Sequence, residues 1–139
     1  MKANLLVESR KRDRSEWQID QYYLRAMRDE STGTGFIQIY CSHEEIDWLF
    51  FDHAVDIDGH QMEFHQVSRN TSQHTKYGVG IIEDFAIDVT RDYLTAKAAA
   101  GLRIRVYGKS GDRTLVIPAF YIQGFLERYD TFAVEPSKG

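Results

Sequence analysis

Seven carboxylate and imidazole side chains crowd into one short stretch, Asp52, His53, Asp56, Asp58, His60, Glu63 and His65, and these types could hold a divalent ion for metal-assisted hydrolysis. Such an ion needs its nitrogen and oxygen ligands at about 2.0–2.2 Å, so the groups must converge. Asp58-Gly59 is the strongest hairpin signal in the chain. A hairpin there puts Val55, Ile57, Met62 and Phe64 on one face and Asp56, Gln61, Glu63 and His65 on the other. His53 and His60 go with the apolar face. The set that remains for a hydrolase is Asp56, Glu63 and His65, with His60 joining only if the turn twists it across. Ordinary cross-strand polar pairing accounts for the same residues without an ion, so neither a metal nor a cofactor is assigned. Asp56-Ile57-Asp58-Gly59 opens like a calcium loop, yet Val67 stands where the closing glutamate is required.

Cys41 lies beside Ser42-His43-Glu44, which raises the question of a thiol nucleophile. Neighbours on a strand point opposite ways, and a lone cysteine serves well as a small core residue. Gly78-Val79-Gly80 lacks both the glycine spacing and the strand-to-helix setting of a nucleotide loop. A different chemistry, anion or acidic-partner binding, is suggested by Arg103 and Arg105 on one strand face, with Tyr107 beside them and Lys109 and Arg113 brought near through a hairpin. The simpler reading is a solvated face whose arginine stems cover apolar surface. Arg10, Lys11, Arg12 and Arg14 form a second basic group, diluted by Asp13 and Glu16 and read as a solvated leader.

The elements that position these residues are legible from period and turn chemistry. Leu102, Ile104 and Val106 alternate with Arg103, Arg105 and Tyr107, a loop follows over 108–112, and a second strand runs from Arg113 to Ile117. Pro118 suits the first turn of a helix to Tyr129, with Ile122, Phe125, Leu126 and Tyr129 on its buried side. Phe120, Tyr121, Phe125 and Tyr129 read as the core seam of that helix. Thr90 caps a helix over 91–100, and Gly101 sits where a C-terminal glycine belongs. Upstream, Trp17, Ile19 and Tyr23 share a parity leading to Leu24, residues 31–35 make a turn, and 36–41 form a strand. Ser42 and Glu45 match a capping box, and the run 46–51 reads as one turn followed by extended chain. Residues 68–76 are polar and aperiodic, hence a surface loop. Tyr77, Val79, Ile81, Phe85, Ile87 and Val89 share one parity, with Glu83 as a bulge or strand end.

These elements predict one α+β domain over 1–139: a mainly antiparallel sheet of about six to eight strands, two helices packed against it, and flexible ends at 1–15 and 131–139. A formal charge of −4 argues against general nucleic-acid binding, which draws on excess Lys and Arg. The single cysteine excludes an internal disulfide and suggests a reducing, cytoplasmic setting, and the short apolar run at Leu5–Val7 predicts no membrane span. Scaffold signals outweigh catalytic ones. The expected function is therefore a non-catalytic interaction or assembly module for a protein partner or for itself. Homodimerisation is suggested by the adhesive edge or face that 77–89 would present if uncovered.

Overall fold

The computed structural model describes residues 18–29, 31, 34–75 and 78–134. Trp17, Tyr77, the basic group before residue 15 and the tail from Glu135 lie outside these residues. Among the described residues seven strands and two helices follow in the order β1 Gln21–Asp29, β2 Thr34–Glu45, β3 Phe51–Asp56, β4 Glu63–Thr75, β5 Gly78–Val89, α1 Arg91–Lys97, β6 Leu102–Gly108, β7 Gly111–Ile117 and α2 Ala119–Val134. The architecture is α+β and its named strand pairs are antiparallel, as expected. The strands divide between a four-stranded sheet, β1-β2-β5-β4, and a three-stranded sheet, β3-β6-β7.

Both sheets feed one core. Ile37, Ile39, Phe85 and Ile87 from the larger sheet meet Phe51, Ala54, Ile104, Val106 and Leu115 from the smaller, and Leu94, Ile122 and Leu126 come from the helices. Thr90 accepts from Tyr93 N at 3.0 Å and caps α1. That helix stops at Lys97 rather than Ala100, and Gly101, at φ 95°, returns its N–H to Lys97 O. The carbonyl of Pro118 accepts the first bonds of α2, which runs past the expected end at Tyr129 to Val134.

Several expectations from pattern are corrected. Tyr22 is buried and Tyr23 exposed, the reverse of the expected parity, because a bend at Asp20 resets the register between Ile19 and β1. Ser42–Glu45 does not start a helix but extends β2, paired with residues 81–84 of β5. Residues 68–75 are not a loop, since β4 continues through them as an edge strand laddered to β5. Backbone bonds to a long neighbour outweigh the missing side-chain period there. Glu83 neither bulges nor ends β5; the irregular register lies in β4, between Gln66 and Ser68 and again between Ser72 and Thr75. β5 is interior, with β2 and β4 on its two sides, so its edges are not the adhesive surface anticipated from its apolar parity.

The turn after Asp56 forms, with Met62 N donating to Ala54 O at 2.8 Å, but the expected long hairpin does not. β3 leaves to pair β6 while β4 pairs β5 in the other sheet. The hairpin of β6 and β7 is tighter than expected. Gly108 pairs Gly111, so the loop shrinks to Lys109 and Ser110, and Arg113 falls opposite Val106.

Candidate binding groove

A groove of about 630 Å³ lies between β1 and α2, lined by Leu24, Arg25 and Ala26 on the strand and by Phe120, Tyr121, Gly124, Phe125, Arg128 and Tyr129 on the helix. Its size falls in the range of about 300–1,000 Å³ usual for ligand sites. One face of α2 builds it: Phe120, Gly124 and Arg128 recur every fourth residue, while Ile122 and Leu126 turn to the core. Phe120 is 56% exposed, so it is not part of the core seam to which sequence assigned it. Tyr121, Phe125 and Tyr129 do pack against the core. A helical wheel holds the missed signal, because Phe120 and Gly124 lie away from the stripe containing Ile122 and Leu126.

Gly124 sits in mid-helix, and a Cβ there would meet no atom within 4 Å. Glycine costs a helix interior about 1 kcal/mol relative to alanine, and packing does not require it here. The bare backbone instead leaves room in the groove. Gly124→Ala is expected to stabilise the fold by about 0.5–1 kcal/mol, read as a rise in Tm of roughly 2–5 °C by calorimetry. An unchanged or lower Tm would mean the glycine serves the helix itself.

Between helix and strand, burial raises the pKa of the Tyr121 hydroxyl, and the nearby backbone N–H of Leu24 works against the rise. Arg25 donates through Nε and Nη2 to Gln38 Oε1, at 3.2 and 2.9 Å, and lies 4.6 Å from the Tyr40 ring centroid. Gln38 passes the chain to Asp88, which also binds His65 Nε2 at 3.0 Å.

The residues expected to act on an anionic partner are only partly together. Arg103, Arg105 and Tyr107 share the outer face of the three-stranded sheet and line a small hollow of about 260 Å³ with Val55 and Ile57. Arg105 is paired with Asp112 at 3.1 Å, and the Tyr107 ring stacks on His53 at 5.0 Å. Lys109 sits in the turn with Nζ 5.8 Å from the Phe50 centroid. Arg113 points to the other face, where its Nε donates to Glu45 Oε2 at 2.7 Å.

The residues considered for a metal are separated. Glu63 and His65 lie on exposed β4, opposite Asp88 and Ala86 of β5, whereas Asp56 is buried at the end of β3 in the other sheet. Asp56, Asp58 and His60 are the residues whose ligand atoms come within 4.8 Å of one another among the described residues. Both Asp56 oxygens and one Asp58 oxygen are already engaged. Asp56 accepts from Tyr93 OH at 2.7 Å, from the N–H of His60 at 2.8 Å and from that of Asp58 at 3.0 Å, and Asp58 binds Lys97 Nζ at 2.6 Å.

Burial alone would raise the Asp56 pKa, but the donors from Tyr93, His60 and Asp58 outweigh it and bring it down to about 2. The unfolded chain, with a carboxyl near 3.9, binds more protons between these values, so stability rises with pH across them. Above the unfolded value the contribution is complete, about 2 kcal/mol, and it is lost as pH falls from about 4 to about 2. Asp56→Asn is expected to lower stability at neutral pH by that amount and to flatten its pH dependence in this window. Urea melts from pH 2 to 6 provide the check, and an unchanged acid limb would contradict the assignment.

Cys41 is fully buried, and desolvation, with the charge of Asp84 behind it, raises its pKa well above the ordinary thiol value. It is a core residue. His43, on the same strand face, accepts from Asp20 N through Nδ1 at 3.1 Å, which leaves Nε2–H to donate to Glu45 Oε2 at 2.8 Å. Burial opposes ionisation of Glu45, yet His43 and Arg113 hold its carboxyl below the usual range. The cluster ties β2 to β7. Among the described residues, no helix is long and apolar enough to cross a membrane. Comparison of the chain with family profiles, with curated proteins and with solved structures found no match.

Proposed function

We propose that this protein is a non-catalytic protein-interaction module whose contact surface is the groove between β1 and α2. The observation that carries the reading is the open space over Gly124, beside exposed Phe120 and along the strand that ends its sheet among the described residues. An apolar side chain entering that space leaves water on both sides, which is the main driving force for association. The ionisable clusters around Asp56 and His43 are meanwhile committed to hydrogen bonds within the scaffold. Self-association is the assembly form of the same reading.

A photo-crosslinking benzoylphenylalanine in place of Phe120, with a second protein carrying it in place of Arg103, tests the surface in source cells. The expected result is a discrete adduct from position 120 that disappears when Gly124→Leu is added. Adducts from position 103 alone would move the function to the outer face of the three-stranded sheet. That second reading is favoured by Ile57, 68% exposed beside Arg103 and Arg105. The absence of adducts from both positions would remove both surfaces.

A further inference from the structure

Resting on the groove as the contact surface, we propose that its occupant is an extended peptide segment of a partner protein, added as a strand to the edge of β1, with apolar side chains over Gly124 and a carboxylate on Arg128.

The edge of β1 is available. Among the described strands β1 ends the four-stranded sheet, bonded only to β2. In an antiparallel pair, alternate residues turn their N–H and C=O away from the partner. The outer edge of β1 therefore offers main-chain donors and acceptors at every second residue, and Leu24, Arg25 and Ala26 line the groove. An incoming strand finds them beside the apolar lining. This is the mode in which main-chain bonds supply affinity and pockets for alternate side chains supply selectivity.

The two repeats also match. Phe120, Gly124 and Arg128 are each four residues apart, about 6 Å along the helix axis at 1.5 Å per residue. Side chains on one face of a strand recur every second residue, about 6.6 Å at 3.3 Å per residue. A peptide running along β1 can thus place successive same-face side chains near Phe120, over Gly124 and near Arg128. The last position selects charge. Among the described residues Arg25 and Arg128 line the groove and no carboxylate does. Asp130, two residues beyond Arg128, is committed to Arg91 through two hydrogen bonds, one of them 2.7 Å. Gln38 already holds the Arg25 guanidinium, which contributes positive potential, so the direct contact falls to Arg128. The peptide's third same-face position is then Asp or Glu.

A phage-displayed library of random twelve-residue peptides, panned on the full chain, supplies the probe. Anisotropy of the selected peptide, fluorescently labelled, reads binding to the wild type and to Gly124→Leu and Arg128→Glu, whose folding is checked by circular dichroism. Expected are sequences with apolar residues at two alternate positions and Asp or Glu two residues further on, and a loss of at least about tenfold in affinity in each variant, equal to 1.4 kcal/mol. Changing the peptide's acid to lysine should restore binding to Arg128→Glu. N-methylation at alternate peptide positions should abolish binding in one phase and spare it in the other. A peptide blocked by Gly124→Leu but indifferent to the charge swap and to N-methylation overturns the acidic strand while leaving the groove as the contact surface. A dimer in sedimentation that Gly124→Leu dissolves, with no peptide selected, makes a second copy the occupant and overturns it too. Peptides whose binding ignores Gly124→Leu overturn the groove itself.

Discussion

Glu83→Ala is expected to lower the unfolding free energy by about 3–5 kcal/mol, the cost of leaving buried partners of a charge unpaired. The carboxylate is buried at the centre of β5 and faces three successive backbone donors: Leu49 N at 2.8 Å and Phe50 N at 3.0 Å on Oε2, and Phe51 N at 3.0 Å on Oε1. Three consecutive N–H groups aimed at one anion form a small nest. Phe50 takes φ 59°, a conformation few non-glycine residues adopt, and the bonds to Glu83 help to hold it there. Arg69 adds Nε at 3.4 Å to Glu83 and donates through Nη2 to Phe51 O at 2.7 Å. Alanine would orphan the whole set. Glu83→Gln keeps the volume but replaces one acceptor with a donor facing donors, and should lose about 2 kcal/mol. Urea melts measure both, and a loss below about 1 kcal/mol for alanine would show that water takes over the nest at little cost.

Gly108→Ala should cost about 3 kcal/mol, by a steric route to the same loop. A Cβ on Gly108 would stand 2.2 Å from Leu49 O and 2.7 Å from Phe50 O. Those carbonyls belong to the segment whose N–H groups Glu83 holds, so the loop cannot retreat without giving up its bonds. Ser110 N also donates to Leu49 O at 3.1 Å, which fixes the approach from the β6–β7 turn. Because both substitutions release one loop, the double variant Glu83→Ala, Gly108→Ala should lose less than the sum of the singles, by at least about 1 kcal/mol. Strict additivity in a double-mutant cycle would separate the two effects. This corner joins the sheets: Glu83 comes from the larger, Gly108 from the smaller, and the loop lies between them.

What sequence alone determined was local. The alternation of Leu102, Ile104 and Val106, the Thr90 cap, the glycine after α1 and the proline before α2 each act within a few residues, and each placed one end of its element to within about one turn. The α+β class follows from those elements. Tertiary structure alone decided which strands are neighbours, because a strand's pairing depends on partners far away in the chain. β3 turns from β4 to β6, and the polar half of β4 becomes a strand because β5 is there to receive its backbone bonds. The same distance hid the buried acids. Asp56 and Glu83 read as surface or strand-breaking residues until Tyr93 and the 49–51 backbone, 37 and 32–34 residues away, supply the donors that let a charge stay inside. The basic set divides for a reason of register. A loop two residues long rather than five puts Arg113 opposite Val106 on the inner face, against Glu45, while Arg103 and Arg105 remain outside. Phe120 and Gly124 were in plain view as helix residues, but a groove needs a second wall. That wall is β1, about a hundred residues earlier, and only packing brings it to α2.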